Sequence, residues 1–379
     1  MTHPFRTFIL KVHSRCNLDC DYCYVYHHAD QNWKRQPRRM SEATLRRSAE
    51  RIEEHAARHQ LSSVQVVLHG GEPLLAGAAW LDAACTTLRE VVTTPTVHLS
   101  MQSNATLLDE DMLDVLLRHR VRVGLSLDGA RGANDLHRVD HAGASSFDAA
   151  ERGVRLLTRE AWRSVFAGFL CTIDLRAPPV ETYEFLCSFD PPGIDFLLPH
   201  GHWGAPPPGK QEPLKGAPYA DWLLPIFERW YSEPAPRVQV RLFTELMSLT
   251  LGGRSRDEAI GLEPITLVVV ETDGTYEGVD TLKSTYDGAV RTDMSVVEQA
   301  LDEVLQHPMV AARQAGVDAL GARCRSCDVM RVCGGGYYPH RYDPATGFQN
   351  PSIFCSDLFA LCTHVGRRLR SDLARAAGR

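Results

Sequence analysis

Apolar and polar residues follow two alternating periods along the first half of the chain. Short β-branched runs predict strands over residues 7–13, 64–69, 97–102, 121–127, 165–173 and 196–200. Segments with apolar residues three and four positions apart predict helices near residues 41–59, 78–91, 110–119, 147–160 and 180–187. This repeated order indicates an α/β fold around a parallel sheet. Six βα units favour a partial or full barrel over an open doubly wound sheet, although periodicity alone leaves both open.

The pattern changes after residue 200. A Pro/Gly-rich run at residues 204–209 cannot continue a helix or a central strand, so it predicts a connection. Further on, the sequence predicts helices near residues 219–231 and 242–251, a strand over 265–270 and, from the capping pattern Ser295-Val296-Val297-Glu298, a helix over 296–307. We therefore expect four regions, which are a barrel (1–204), a bridging region (205–262), a C-terminal domain (263–366) and a basic tail (367–379).

Composition excludes several classes of protein. The 379 residues are 44 % apolar and 23 % charged. No apolar run approaches the about 20 residues that a membrane helix needs, so we expect neither a membrane protein nor a disordered one. The net charge of −6 argues against nucleic-acid binding. The first residues lack the layout of a secretion signal, so we expect a cytoplasmic protein, and clustered cysteines in that reducing compartment are typically metal ligands or catalytic groups.

Three of the 11 cysteines follow the first predicted strand in a C-x₃-C-x₂-C spacing, and they are Cys16, Cys20 and Cys23. Three thiolates from one loop can ligate three irons of a [4Fe–4S] cluster and leave the fourth iron open to bind another molecule. Zinc is the alternative. A zinc site normally has four ligands, so His13 or His27 would have to complete it.

A second set near the C-terminus consists of Cys324, Cys327, Cys333 and Cys355. Four thiolates in a loop-rich region suit a [4Fe–4S] cluster ligated entirely by protein. A Cys₄ zinc ribbon is the alternative, but such ribbons usually have two C-x₂-C pairs and this set has one. Three of the remaining cysteines are expected to be small buried hydrophobic residues, while Cys362 lies too close to the second set to be assigned.

The first set, with Tyr22 between its last two cysteines, resembles the radical S-adenosylmethionine (SAM) superfamily. The resemblance implies a partial (β/α)₆ TIM-type barrel and a [4Fe–4S] cluster whose open iron binds the amino and carboxylate groups of SAM. It also implies reductive cleavage of SAM to methionine and a 5′-deoxyadenosyl radical that abstracts a hydrogen atom. In that family the residue corresponding to Tyr22 lies near the adenine.

Segments at the ends of the next three strands match the same family. The family's glycine-rich motif, which binds the methionine amino group, corresponds to Gly70, Gly71, Glu72 and Pro73. Its segment near the ribose corresponds to Gln102, Ser103 and Asn104, and the residues used against the ribose and the carboxylate correspond to Ser126 and Arg138, with Asp128 as a further cofactor-binding residue of the same strand end. For these last two segments an ordinary turn at the end of a strand is the alternative.

The second set resembles the SPASM extension of radical SAM enzymes, a loop-rich Fe–S domain whose full form has seven cysteines and two auxiliary clusters. Here Val279 and Tyr337 stand where further ligands are expected, so we predict one auxiliary [4Fe–4S] cluster. Asp280 aligns with a carboxylate that acts as a general base in related sulfatase-maturing enzymes. A turn aspartate in solvent is the alternative.

From residue 5 to about 366 the chain is similar to maturases that form cyclophanes in FxS-type precursor peptides, and the segments that carry this similarity are 8–16, 24–30, 197–200 and 333–342. The similarity implies a ribosomally synthesised precursor peptide as substrate and a reductant such as flavodoxin or ferredoxin. A β-hydrogen of one peptide residue would be abstracted, and the carbon radical would attack a nearby aromatic ring.

Two other classes of function stay open. Radical enzymes that form thioethers, epimerise residues or oxidise a sulfatase side chain share all of these cofactor motifs. A non-catalytic Fe–S or zinc scaffold would share only the cysteines, because it has no use for the glycine-rich and Gln-Ser-Asn segments.

Overall fold

The computed structural model describes residues 2–255 and 257–378, which divide into two compact units. Unit 1 comprises Met1–Leu170 and Thr266–Ala312, and unit 2 comprises Cys171–Ile265 and Arg313–Arg379. Each unit is therefore built from two stretches that are distant in sequence. The domain boundaries predicted from the sequence, at residues 204, 262 and 366, differ from the boundaries of these two units. The predicted domains stay a prediction.

The described residues contain the strands β1 (Thr7–His13), β2 (Ser63–Gly70), β3 (Thr96–Ser103), β4 (Arg122–Ser126), β5 (Phe166–Thr172), β6 (Gly193–Leu197), β7 (Gln239–Val240), β8 (Leu267–Val270), β9 (Thr275–Glu277) and β10 (Arg291–Ser295). The helices are α1 (Glu42–Arg58), α2 (Ala78–Val91), α3 (Glu110–Arg118), α4 (Arg131–Asn134), α5 (Phe147–Leu157), α6 (Pro179–Cys187), α7 (Pro218–Tyr231), α8 (Arg241–Thr250), α9 (Leu301–Val304), α10 (Pro308–Gln314), α11 (Ala322–Arg325), α12 (Met330–Cys333) and α13 (Cys355–Ala377).

Strands β1 to β5 lie side by side in sequence order, and every neighbouring pair is parallel. Helices α1 to α5 occupy the connections between them. The predicted α/β class and the parallel order are therefore confirmed. In unit 2, β6 and β7 also pair in parallel.

Unit 1 also contains three strands from the C-terminal half of the chain. Strand β8 pairs in parallel with β1, with Thr7 opposite Leu267, and β9 and β10 follow as antiparallel neighbours. The run at residues 265–270 was predicted as a strand, but its partner was not. Periodicity cannot identify a partner that lies some 260 residues away along the chain.

Apolar side chains explain why these elements pack. On β1, Phe8, Leu10 and Val12 are fully buried. Helix α1 begins after Ser41, whose hydroxyl accepts a hydrogen bond from the Thr44 amide, and it directs one apolar face inward. Within residues 2–255 and 257–378, no helix combines the length and the hydropathy needed to cross a bilayer.

Three predicted elements differ from those observed. The sixth strand, predicted over residues 196–200, runs three residues earlier as β6. The helix predicted over 296–307 shrinks to α9, because the extended backbone of Ala300 (φ −78°, ψ 155°) separates the turn that Ser295 caps from the helix. The predicted basic tail is the end of α13, which begins 12 residues earlier at Cys355.

Because Leu10 is buried and pairs with both β2 and β8, replacing it should test the central packing of unit 1. We expect Leu10→Ala to lower the free energy of unfolding by about 2–5 kcal/mol, through lost burial and a cavity. Urea denaturation followed by circular dichroism under anaerobic conditions measures this loss. The control is Leu107→Ala, which changes a side chain that is 37 % exposed and should cost less than about 0.5 kcal/mol. Equal losses in both variants would contradict this packing.

Candidate active site

The three cysteines of the first set lie in the loop that leaves β1. The Leu18 amide lies 3.4 Å from Cys16 Sγ as a hydrogen-bond donor, and Asn104 Nδ2 lies 3.7 Å from the same sulfur. Burial raises the pKa of Cys16 to about 12 and that of Cys20 to about 11, and the neighbouring thiols add to both shifts. These sulfurs are therefore held close together in a place where a cation can replace their protons.

Sulfur spacing distinguishes an iron–sulfur cluster from a single zinc ion. No three cysteine sulfurs in the described part of the chain lie within 4.8 Å of one another. Tetrahedral zinc, with Zn–S bonds of about 2.3 Å, requires sulfur separations of about 3.8 Å. A [4Fe–4S] cubane holds each thiolate on a different iron and so tolerates wider spacing. The thiols of both sets are free and fit the cubane.

The glycine-rich segment touches the backbone at the base of the cysteine loop. The Gly71 amide donates to the His13 carbonyl oxygen at 2.9 Å, and the Glu72 amide donates to the Arg15 carbonyl oxygen at 3.0 Å. A Cβ on Gly71 would collide with the Tyr26 hydroxyl and with the Arg15 carbonyl oxygen. Glycine is therefore required here by the close approach of two chain segments.

Glu72 joins two of the predicted segments. Its carboxylate is buried and accepts hydrogen bonds from the Leu74 amide (3.0 Å), the Ser103 hydroxyl (2.9 Å) and the Asn104 amide (2.8 Å). Burial raises the pKa of Glu72 to about 7, although these hydrogen bonds act to lower it. Both oxygens thus already have partners, so Glu72 positions the ends of β2 and β3. Pro73 begins the short 3₁₀ turn that follows, where its missing amide hydrogen costs nothing.

The Gln-Ser-Asn segment links its neighbours on both sides. Gln102 Nε2 donates to the Ser126 hydroxyl at 2.9 Å, which connects the ends of β3 and β4. Asn104 Nδ2 donates to Asn17 Oδ1 at 2.9 Å, and Asn17 Nδ2 donates to the Thr106 hydroxyl at 2.8 Å. The carboxyl ends of parallel strands therefore meet the cysteine loop through hydrogen bonds.

Tyr22, Asp128 and Arg138 form a connected group. The Tyr22 hydroxyl donates to Asp128 Oδ2 at 2.5 Å and accepts from Arg138 Nη1 at 2.9 Å. Burial raises the pKa of Tyr22, so the phenol stays neutral. The structure therefore brings together all of the predicted cofactor residues of unit 1, and Asn17, which the sequence analysis did not single out, joins them.

Asp280 lies in a buried network of charges and not in a turn open to solvent. Its Oδ2 is 2.5 Å from Lys11 Nζ, and its Oδ1 is 3.4 Å from Lys283 Nζ. Lys283 Nζ also lies 2.7 Å from Glu271 and 2.8 Å from Glu277. Although burial alone would raise it, the two lysines lower the pKa of Asp280 to about 2. Asp280 is therefore ionised, and its tendency to accept a proton depends on these two lysines.

Glu277, a further acid of this network, is mostly protonated at pH 7. Burial raises the pKa of Glu277 to about 8, and this exceeds the lowering by Lys283. At pH 7 two lysines then balance Asp280 and Glu271. Lys11 was missed by the sequence analysis, although a lysine within the apolar run of β1 is a readable signal of a buried partner.

In unit 2 the second cysteine set surrounds a cavity of about 460 Å³. Cys324 lies in α11, Cys333 ends α12 and Cys355 begins α13. The cavity is lined by all four cysteines together with apolar side chains that include Met330 and Phe359. Cys362 is buried on α13 and is not among the lining residues.

Arg341 is a buried cation beside this set. Its guanidinium donates to the carbonyl oxygens of Gly334 and Gly336, each at 2.7 Å from Nη2. Burial raises the pKa of Cys324 and of Cys333, and the charge of Arg341 offsets part of that rise. In the described residues no carboxylate lies within 4.0 Å of it. A four-thiolate cluster carries negative charge, so the donor set and this cation fit each other.

A second buried ion pair fixes the start of α13. Lys210 Nζ lies 2.7 Å from Asp357 Oδ2, and Asp357 Oδ1 accepts from the Tyr219 amide at 2.8 Å. These contacts therefore attach the connection at residues 204–218 to α13, at a position two residues after Cys355. At the positions where further ligands were expected, Val279 is buried and Tyr337 donates its hydroxyl to Glu258 at 2.8 Å.

Comparisons with known proteins agree with this site. The model of the Radical SAM superfamily matches residues 10–185. A cysteine-type anaerobic sulfatase-maturating enzyme of Clostridium perfringens is 25 % identical over 340 residues, which cover 88 % of each chain. A serine-type anaerobic sulfatase-maturating enzyme of Klebsiella aerogenes is 26 % identical over 345 residues, which cover 89 % of this chain and 80 % of the relative.

Solved structures show the same fold. Native anSMEcpe with bound AdoMet and Cp18Cys peptide superposes with a TM-score of 0.80 at 22 % identity, covering 97 % of this chain and 99 % of that one. Streptococcus suis SuiB bound to the precursor peptide SuiA superposes with a TM-score of 0.60 at 15 % identity, covering 94 % of this chain and 76 % of that one. The predicted class of fold is therefore confirmed.

The matched region contains the cysteine loop and the segments that Glu72 and Gln102 join to it. SAM and [4Fe–4S] clusters are the cofactors that this site takes. The chain is an enzyme, and over residues 10–185 it is similar to the Radical SAM superfamily.

Proposed function

We propose that this enzyme forms a carbon–carbon crosslink, a cyclophane, between an aromatic ring and the β-carbon of a nearby residue in a ribosomally synthesised precursor peptide. When bound, SAM and the first cluster supply a radical that removes a hydrogen atom from the peptide. Closing the ring then requires the loss of one electron and one proton in addition to that hydrogen atom. The product is therefore lighter than the substrate by two hydrogens.

The observation that carries this proposal is a complete SAM-type site combined with one four-cysteine set. Four thiolates and the unpaired cation of Arg341 favour one auxiliary cluster, which can accept the electron. Val279 and Tyr337 depart from the seven-cysteine SPASM pattern at the positions where a second auxiliary cluster would need ligands. The similarity to FxS-type maturases at residues 24–30 and 333–342 supports the same conclusion.

Asp280 is the proposed acceptor of the proton. It is buried and ionised, and Lys11 and Lys283 hold both of its oxygens. A fixed carboxylate can act as a general base only where its lysine partners leave a lone pair open to the substrate. Because the pKa of Asp280 is low, proton transfer to it is favourable only from a strong acid. The ring cation that forms when the ring radical loses its electron is such an acid.

Oxidation of a single side chain in a sulfatase-type substrate is a second candidate. It is favoured by the sulfatase-maturating relatives, which match at least 80 % of both chains over about 340 residues. Such an oxidation also removes two hydrogens, but from one residue. For a serine substrate the two candidates therefore predict products of the same mass and different connectivity, whereas an oxidised cysteine would also exchange its sulfur for oxygen on hydrolysis.

Anaerobic co-expression with the short peptides encoded beside this gene, followed by tandem mass spectrometry, distinguishes these candidates. We expect a loss of two hydrogens with no fragment ions between an aromatic residue and its partner, because a crosslink holds the fragments together. A loss mapped to one hydroxyl-bearing residue, with trapping by a hydrazine reagent, would indicate the sulfatase-type reaction. A loss mapped to a cysteine sulfur would indicate a thioether, and unchanged mass with inverted stereochemistry an epimerase.

The cluster complement gives a second prediction. Two [4Fe–4S] clusters correspond to about eight irons and eight sulfides per chain. Cys355→Ser should lower both to about four, because it removes one of four ligands around the unit 2 cavity. Cys362→Ser is the matched control on the same helix and should retain about eight. Zinc without sulfide in the wild-type protein would contradict both clusters.

Asp280→Asn provides a third prediction. Loss of the base should slow crosslinking by roughly 100-fold or more, while cleavage of SAM in the same reaction continues. Glu277→Gln is the matched control in the same network, since Glu277 is neutral at pH 7 and glutamine preserves the charge balance. Asp280→Glu should restore part of the rate, and circular dichroism and iron content check that each variant folds. Crosslinking at the wild-type rate in Asp280→Asn would remove Asp280 from the reaction.

A further inference from the structure

A second group of metal-ligating side chains lies in unit 1 and contains no thiol. His55 is in the last turn of α1, His59 caps that helix, and Asp302 lies in α9, 243 residues after His59. Residues four apart on a helix share a face, so both rings point toward the same neighbour. His59 Nε2 is 2.5 Å from Asp302 Oδ1, and His55 Nδ1 is 3.3 Å from the same oxygen.

His55 is the observation that points to a ligand. Its side chain is 1 % exposed and packs against the rings of Phe5 and Phe8. Its Nδ1 lies 3.3 Å from Asp302 Oδ1, but neither ring nitrogen makes a hydrogen bond of good geometry. Burying a polar ring whose nitrogens are poorly hydrogen-bonded is unfavourable, and a bound metal ion would supply the missing interaction.

We propose that His55, His59 and Asp302 bind one divalent transition-metal ion, with Zn²⁺ as the best match. Two imidazoles and a carboxylate are a common donor set for such ions, and a water molecule can complete the coordination. One ligand atom from each of the three residues already lies within 4.8 Å of the others. This site belongs to no cluster of the proposed reaction, because its donors are nitrogen and oxygen.

The two distances to Asp302 Oδ1 require one small movement. Zinc bonds of about 2.0–2.1 Å in a tetrahedron set ligand atoms about 3.3 Å apart, which is the observed separation of His55 Nδ1 and Asp302 Oδ1. His59 must withdraw by less than about 1 Å, and its ring is partly exposed at the end of a helix. Arg58 Nη1, at 3.5 Å from Asp302 Oδ2, belongs to a side chain that is 71 % exposed and can turn into solvent.

Titration of the cluster-loaded enzyme with Co²⁺ alone tests the proposal, because cobalt bound to thiolate shows an intense charge-transfer band and cobalt bound to nitrogen and oxygen does not. We expect one saturable equivalent without that band, and a higher melting temperature on binding, since the ion would join two distant stretches of unit 1. Zn²⁺ should displace the cobalt. His59→Gln and Asp302→Asn should each weaken binding at least tenfold.

His119→Gln is the matched control. It removes another histidine that caps a helix and contacts an aspartate, with His119 Nε2 at 2.8 Å from Asp82 Oδ1, but with no second histidine. This variant should bind cobalt like the wild type. No saturable equivalent in the wild type, or equal binding in His59→Gln, would overturn the proposal. So would a bound equivalent with the thiolate band in every variant.

Discussion

The site depends on a close contact between two stretches of backbone at the carboxyl ends of β1 and β2. The amides of Gly71 and Glu72 donate to carbonyl groups at the base of the cysteine loop, and no side chain fits between them. Because parallel neighbouring strands end at the same edge, this contact determines where the loop departs. The Glu72 carboxylate then connects this edge to the end of β3.

Much of this arrangement can be predicted from local sequence. Alternating periods identify the five parallel strands of unit 1, and chemistry-bearing residues follow β1, β2, β3 and β4 directly. Since strand ends converge, residues such as Cys16, Gly71, Asn104 and Asp128 must approach one another once the sheet forms. The spacing of the cysteines along the chain favours cubanes over zinc, and so does the finding that no three cysteine sulfurs of the described residues lie within 4.8 Å of one another.

What the sequence could not provide depends on contacts between distant residues. The pairing of β8 with β1 brings Asp280 to Lys11, and although a lysine within an apolar run indicates a buried partner, no local pattern identifies which residue that partner is. A turn aspartate in solvent was a reasonable alternative for Asp280, because turns are usually exposed. In the structure this turn is buried, and lysines balance the charge of Asp280. Arg341 was missed for the same reason, since an arginine in a glycine-rich loop gives no sign of its burial.

The charge network around Lys283 also constrains how this chain can vary. Two lysines balance Asp280 and Glu271, while Glu277 is neutral. Losing one partner of a buried pair leaves an uncompensated charge, which costs about 3–5 kcal/mol. Removing one charged partner therefore costs more stability than a matched pair of changes, so related chains are expected to change Lys11 and Asp280 together or keep both.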